Sequence, residues 1–259
     1  MSAVFSDCAQ CGTRNSLFNP RCIGCGVRLR EGGEPAGLKP SLSDLDAVPD
    51  APSAIGPYTI VSMIGSGSAA RVFAADDADS QPVLLKVMRP ELLASEEARK
   101  RFSREARALQ RVDHPNVGRM LAVLEEPSPT LVLEVAAGHS LEARLAHAPV
   151  SASDAARLIA QLAAALAALH AHGVVHRDVK PANIIVSDAL DLKLIDFGLA
   201  RILEHRPGSF RTAAGTVLGS LAYAAPEVVM GEPGAAAADC WSLGVVAFEL
   251  ATGRRPFDA

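Results

Sequence analysis

The residues best suited to chemistry in this 259-residue chain crowd into positions 174–198, VVHRDVKPANIIVSDALDLKLIDFG. Three short apolar runs read as strands: Val174 with Val175, Ile184–Val186, and residues 192–195. Polar, metal-competent residues follow the first and third at once, so Asp178, Lys180, Asn183 and Asp196 fall on turns at strand ends. A scaffold can hold such positions rigidly and still leave them exposed. Few folds need so many charged groups beside so much buried strand, and the pattern is that of an active site.

A second set of reactive residues lies at the other end of the chain. Four of the five cysteines form two tight pairs in residues 8–26, CAQCGTRNSLFNPRCIGCG. Two residues between thiolates let a turn aim both sulfurs at one ion, and Gly12 and Gly26 relieve the backbone there. Cys8, Cys11, Cys22 and Cys25 together suit a tetrahedral zinc ion. So short a segment cannot bury an adequate core, so metal binding would supply its folding free energy. The segment resembles a small zinc ribbon, expected over residues 1–30 as a stapled module and docking surface. Iron in a rubredoxin-like knuckle and a redox dithiol are the other readings. A nucleic-acid-binding finger is compatible with Arg14, Arg21, Arg28 and Arg30, but no recognition helix follows them.

Composition bounds what surrounds these groups. With 49% hydrophobic and 21% charged residues the usage is that of a globular protein with ample core material. Aromatics are only 4%, so Ala, Leu and Val must build that core. A net charge of -4 gives no global nucleic-acid footprint. The N-terminus lacks the basic and apolar regions of a signal peptide, which points to a cytoplasmic protein with metal-bound rather than disulfide-bonded cysteines. Residues 158–175 are long enough for a membrane span, but Gln161, His170 and His172 favour an amphipathic core helix.

Several elements must position the first site. Residues 31–56, rich in Pro, Gly, Ser and Asp, read as a flexible linker in which SLSDLDAV could form a short docking turn. At Tyr58 alternation begins, YTIVSMIG, and Gly65 and Gly67 follow where two strands turn back on each other. Small residues there let backbone amides approach phosphate oxygens. The next strand, PVLLKV, carries Lys86 among apolar neighbours. Residues 95–112 read as a helix capped by Ser95, with Ala98, Phe102, Ala106 and Leu109 as its apolar stripe. Glu105 shares that stripe, and a carboxylate on an apolar face needs a cation, for which Lys86 is the natural candidate. Strands are expected over 117–124 and 130–135, and AAGHS bridges into a helical half. Ser151 and Asp154 form a capping box ahead of a helix with Ala155, Leu158, Ile159, Leu162, Leu166 and Leu169 on its apolar face. A last helix, 239–250, is apolar on nearly all sides, so it is expected to be buried, with Cys240 as a core thiol.

Taken in order, Gly65-x-Gly67, Lys86, Glu105, HRDVKPAN, Asp196-Phe197-Gly198 and Ala225-Pro226-Glu227 resemble the protein-kinase signature set. The resemblance runs from about residue 57 to the end and is nearest to bacterial serine/threonine kinases of the eukaryotic (Hanks) type. It implies an α+β, two-lobed kinase-like fold over 57–259, with a β-rich lobe at 57–136 and a mainly helical lobe at 137–259. It further implies ATP and magnesium as cofactors and protein serine and threonine hydroxyls as acceptors.

By the same resemblance Gly65 and Gly67 would cover the ATP phosphates, and Lys86, paired with Glu105, would hold the α- and β-phosphates. Asp178 would accept the proton of the substrate hydroxyl, and Lys180 would neutralise the transferring group. Asn183 and Asp196 would ligate magnesium, and Val72, Leu84, Glu134, Ala136 and Ile185 would surround the nucleotide. Arg177 beside Asp178 matches kinases switched by phosphorylation of the activation segment, here 197–227, with Thr212 and Thr216 as candidate phosphosites and Ser209 and Ser220 nearby.

Three departures stand out. Ala70 replaces the third glycine of the loop, and Leu84 stands where a small alanine usually lies over the adenine ring. The chain closes at Arg-Pro-Phe257-Asp-Ala, before the family's last helices and the usual arginine partner of Glu227, so the helical lobe is expected to be incomplete. Uncovered apolar faces would then favour association with a partner or a second copy. Against the enzyme stands a scaffold reading, in which the ribbon and a non-catalytic kinase-like lobe bind protein partners.

Overall fold

The computed structural model describes residues 5–7, 14–16, 53–66, 70–93, 95–125, 128–146, 150–197, 221–232 and 234–257. Near the N-terminus β1 (Phe5–Asp7) and β2 (Arg14–Ser16) pair antiparallel, Asp7 opposite Arg14. The cysteines at 8, 11, 22 and 25 lie outside the described residues, as do Gly67, Gly198, Ser209, Thr212, Thr216, Ser220 and nearly all of the expected linker.

Alternation along the next strands builds a six-stranded antiparallel sheet in the order β3-β4-β5-β6-β8-β7. Its members are β3 (Ala54–Ile55), β4 (Tyr58–Ser66), β5 (Ala70–Asp76), β6 (Pro82–Met88), β7 (Met120–Leu124) and β8 (Thr130–Glu134). Sheet structure begins at Ala54, four residues before the alternation at Tyr58 and inside the expected linker, because Ile55 pairs with Tyr58 and Ile60 N donates to Ser53 O. Successive strand residues face opposite ways. Phe73, Ala75, Val83, Leu85, Val87 and Val132 therefore make a core on one face. Val72, Leu84 and Lys86 lie on the other, with Val72 opposite Lys86 and Leu84 opposite Leu133.

Between β6 and β7 runs α1 (Glu96–Gln110). The Ser95 side chain caps it by accepting from Ala98 N at 3.1 Å, and Phe102, Ala106 and Leu109 are its buried residues. The helical half comprises α2 (Leu141–Leu145), α3 (Ala152–Ala171), α4 (Pro226–Val229) and α5 (Ala236–Thr252). A small sheet in the order β11-β10-β9 lies with them: β9 (His139–Ser140), β10 (Ile184–Val186) and β11 (Leu192–Leu194). Ser151 caps α3 through Asp154 N, as its sequence indicates. By length and composition α3 is apolar enough to cross a membrane; here Leu158, Leu162, Leu166 and Leu169 lie in the core.

One core cluster runs through both halves, from Met88, Phe102, Leu109 and Leu131 to Leu158, Leu169, Ile184, Leu194 and Val246. The halves are also stitched by backbone: Val117 bridges Leu194, Gly118 N donates to Leu194 O, and Leu194 N donates to Asn116 O, both at 2.8 Å. Asn116 Nδ2 reaches Leu192 O and Gln161 Oε1. Gly138 makes the crossing between the halves at φ +122, where a Cβ would stand 2.4 Å from Val186 O. Only glycine fits there.

Three sequence expectations give way. Val174 and Val175 belong to no strand; Val174 is buried and tied to the end of α3 by Val174 N to Leu169 O. The expected strand over 117–124 starts at Met120, because Val117 and Gly118 are spent on the contact with β11. Cys240 is exposed, not a core thiol. A helix apolar all round gives no periodicity to say which side is inward. Packing of α5 selects Ala238, Asp239, Ser242, Val245, Val246 and Leu250, and leaves Cys240, Trp241 and Phe248 outward.

Candidate active site

Strand β6 puts Lys86 on the face turned to the helical half, buried to 9% exposure. Its ammonium pairs with Asp196 Oδ1, just beyond β11. The expected partner, Glu105, pairs instead with Arg104 Nη2 at 3.6 Å, and no Lys86–Glu105 ion pair forms among the described residues. Helical spacing correctly puts Glu105 on the packed side of α1. It cannot fix how far that helix stands from the strand, and Glu105 ends at the rim, its side chain 14% exposed.

The turn after Val175 gathers the other polar groups. Asp178 Oδ2 accepts from Lys180 Nζ at 2.9 Å and from Asn183 Nδ2 at 3.0 Å, and Asn183 Nδ2 also reaches Asp178 O at 2.8 Å. Both amide hydrogens of Asn183 are thereby committed to Asp178, so its Oδ1 is the atom left for an electrophile. Asn183 O accepts from Ile195 N at 2.9 Å, which locks the Asn183 turn to the residue preceding Asp196. Asp178, Lys180, Asn183, Asp196 and Lys86 therefore form one connected set drawn from both halves.

One member of this set and one neighbour of it hold unfavourable backbone: Asp196 at φ 59 and Arg177 at φ 64. Left-handed non-glycine residues cost about 1–2 kcal/mol each and persist only where surroundings over-determine them. For Arg177 the surroundings are Asp239 of α5, 1% exposed. Its carboxylate accepts from His176 N and Arg177 N, and lies against His170 Nε2, all at 2.8 Å. Neither Asp239 nor His170 stands out in the sequence as functional. The available signal was a carboxylate in the first turn of an otherwise apolar helix.

His176 is wholly buried. Its Nε2 meets Ile195 O at 3.0 Å, Asp178 N donates to its Nδ1 at 3.3 Å, and its ring packs on Phe197 with centroids 5.4 Å apart. Those contacts require a neutral ring with the proton on Nε2. Desolvation by burial lowers its pKa below the ordinary histidine value, outweighing Asp239, the Ile195 carbonyl, Asp178 and Asp196, which all raise it.

The apolar residues expected around the nucleotide come from both sheets. Val72 and Leu84 from the large sheet and Ile185 from the small one are half-buried. Leu84 faces Ala74 across the ladder, so the bulk at one position is matched by a small partner. Gly65 lies opposite Val72. Glu134 is turned to a structural duty: its Oε1 accepts from Arg119 N at 2.9 Å and from Lys193 Nζ at 2.5 Å, another tie between the halves. Ala136 sits in the crossing segment and is partly buried.

The donor set fits a hard, strongly hydrated dication. Asn183 and Asp196 offer oxygen only, and two protein ligands leave the remaining positions to water and substrate, as magnesium prefers. No group of three or more His, Cys, Asp or Glu that could hold a metal ion occurs among the described residues.

Comparison with known proteins agrees with this arrangement. The family model described as Protein kinase domain matches residues 58–259. The probable serine/threonine-protein kinase PkwA of Thermomonospora curvata is 39% identical over 213 residues, covering 82% of this chain and 28% of that protein. The putative CBL-interacting protein kinase 13 of Oryza sativa subsp. japonica is 38% identical over 80% of the chain and 40% of its own length. The serine/threonine-protein kinase PrkC of Bacillus subtilis is 35% identical over 78% of the chain and 31% of its own length. The chain thus spans between about a quarter and two fifths of the curated relatives it matches.

Proposed function

This chain belongs to the protein kinase domain family, and on that footing we propose that it transfers the γ-phosphoryl group of ATP to serine or threonine hydroxyls of proteins. The observation that carries the proposal is the connected set of Lys86, Asp178, Lys180, Asn183 and Asp196. Asp178 takes the proton of the acceptor hydroxyl as its oxygen bonds to Pγ and the bond from Pγ to the bridging oxygen of ADP breaks. Lys180, already 2.9 Å from Asp178, faces the same event with a positive charge. Lys86 holds the α- and β-phosphates, while Asn183 and Asp196 would hold magnesium, which supplies charge neutralisation of the phosphates. Were Asp196 to hold the metal, Glu105 would be the second partner for Lys86, as the kinase resemblance implies. Such a site works by alignment and electrostatics, both of which the rigid backbone ties favour.

In the same proposal, Thr212 and Thr216 are phosphorylated and their dianions pair with Arg177, and Val72, Leu84, Ala136 and Ile185 enclose the base. Cys8, Cys11, Cys22 and Cys25 bind structural zinc. The β1–β2 pair supports this, since Asp7 opposite Arg14 brackets the first Cys-x2-Cys in sequence. The ribbon then serves as a docking module for a protein partner. Zinc analysis of the Cys22→Ser variant tests it, and undiminished zinc would refute a four-thiolate site.

The activity is tested by incubating the chain with magnesium and γ-labelled ATP and a generic basic-protein acceptor. Phosphoserine or phosphothreonine in the acceptor supports the enzyme. No transfer, together with no thermal shift from ATP, would instead favour the scaffold reading, which has in its support the unformed Lys86–Glu105 pair.

A further inference from the structure

The back of the glycine hairpin carries a site that the proposed transfer does not use. Directly opposed residues in an antiparallel ladder share a face, and neighbours along a strand alternate. Val72 and Lys86 oppose each other and face the cleft; Arg71 and Val87, the next opposed pair, face away from it. Ser66 opposes Arg71 on the other side of the hairpin and so shares this face, at the exposed strand end beyond the core that holds Val87. Arg89 follows β6 on the same side, and the proline after it favours extended backbone at that position. Its guanidinium crosses the ladder, Nη2 donating to Ser66 Oγ at 3.1 Å.

Ser66 is exposed, and two guanidinium-bearing residues therefore flank one accessible hydroxyl. Among the described residues no carboxylate pairs with Arg71. A neutral hydroxyl offers Arg71 little. A phosphate dianion on the same oxygen would accept charge-assisted hydrogen bonds from both arginines. We propose that Ser66 is a phosphorylation site, its phosphate held by Arg71 and Arg89 at the exposed end of the face turned from the cleft.

The source of the phosphate rests on the activity proposed above. Because Ser66 faces away from its own cleft, the donor site is that of a second copy of the chain with ATP bound. The Ser66 oxygen bonds to Pγ, the bond from Pγ to ADP breaks, and the hydroxyl proton passes to Asp178 of the donor copy. The modification would brace the hairpin from behind without touching the nucleotide.

Two measurements test this. In the first, phosphoserine is installed at position 66 of the full chain, and 31P NMR follows its second ionisation. Two guanidiniums should hold that pKa at least half a unit below the ordinary value of about 6, and the Arg71→Ala/Arg89→Ala variant should restore it. A value at or above about 6 in the parent, or one unmoved by the double variant, would overturn the site. In the second, active chain is incubated with ATP, magnesium and the inactive Asp178→Asn chain, and phosphopeptides of the latter are mapped. Phosphate on Ser66 is expected. Phosphate elsewhere in that chain but never on Ser66 would overturn the proposal. Phosphate nowhere would count against the transfer activity, while the NMR measurement still decides whether the two arginines hold a phosphate.

Discussion

Replacing Asp239 by alanine removes the one acceptor on which the backbone before Asp178 is hung. The carboxylate takes two buried N–H groups, from His176 and Arg177, each at 2.8 Å, and contacts His170 Nε2 at the same distance. Each backbone donor left without a partner costs about 1–3 kcal/mol. The left-handed strain at Arg177, φ 64, is present with and without the carboxylate and adds nothing to the difference. Water entering the vacated space offsets part of the donors' cost, so we expect a loss of about 3–5 kcal/mol. At about 2–4 °C per kcal/mol for a domain of this size, the melting temperature should fall by at least about 6 °C. Phosphoryl transfer should fall further, because His176 and Arg177 directly precede Asp178. Thermal unfolding and steady-state kinetics on Asp239→Ala and Asp239→Asn read both effects. A fall under about 2 °C with kcat within twofold of the parent would refute the claim that α5 positions the catalytic turn.

Other perturbations separate chemistry from support. Lys86→Met should leave stability almost unchanged, since the Asp196 side chain is 47% exposed and can be hydrated; kcat/KM for ATP should fall at least about 100-fold, close to 2.7 kcal/mol. Stability should also depend on the buried His176. Its folded pKa is lowered, so below the unfolded value near 6.5 the unfolded chain binds more protons, and stability declines as pH falls from there toward the folded pKa. Unfolding curves between pH 7 and 5 check this, and His176→Phe should flatten the slope within that window. Gly138→Ala should cost more than about 3 kcal/mol, since its Cβ meets a carbonyl oxygen at 2.4 Å and φ is +122; urea unfolding or a lost soluble yield measures it.

Much of the scaffold was legible because local rules sufficed. Ser95 and Ser151 each precede an apolar stripe at helical spacing, and both cap helices as expected. Lys86 sits on a strand among apolar neighbours, and the ladder places it there. What stayed hidden depends on distances between elements. Lys86 had two acidic residues within its reach in principle, and the choice of Asp196 over Glu105 follows from where α1 packs, which no period in the sequence encodes. The sequence places Cys240 in the core because α5 is apolar on nearly every side, and such a helix hides its own orientation. Asp239 is invisible in the sequence for a related reason: its task is to satisfy backbone N–H groups more than 60 residues away, and backbone has no sequence signature. The roles of the connected polar set came instead from the order of motifs between Gly65 and Glu227.

The central claim is that Asp178, held by Lys180 and Asn183, accepts the proton of a serine or threonine hydroxyl during transfer from ATP. Parallel transfer assays of the parent and Asp178→Asn, with ATP affinity measured on both, test it most directly. Label is expected on serine or threonine with the parent, with a loss of at least about 1000-fold in kcat in the variant, about 4 kcal/mol of the barrier, and ATP affinity within a few-fold of the parent. Equal turnover by the two proteins would contradict it.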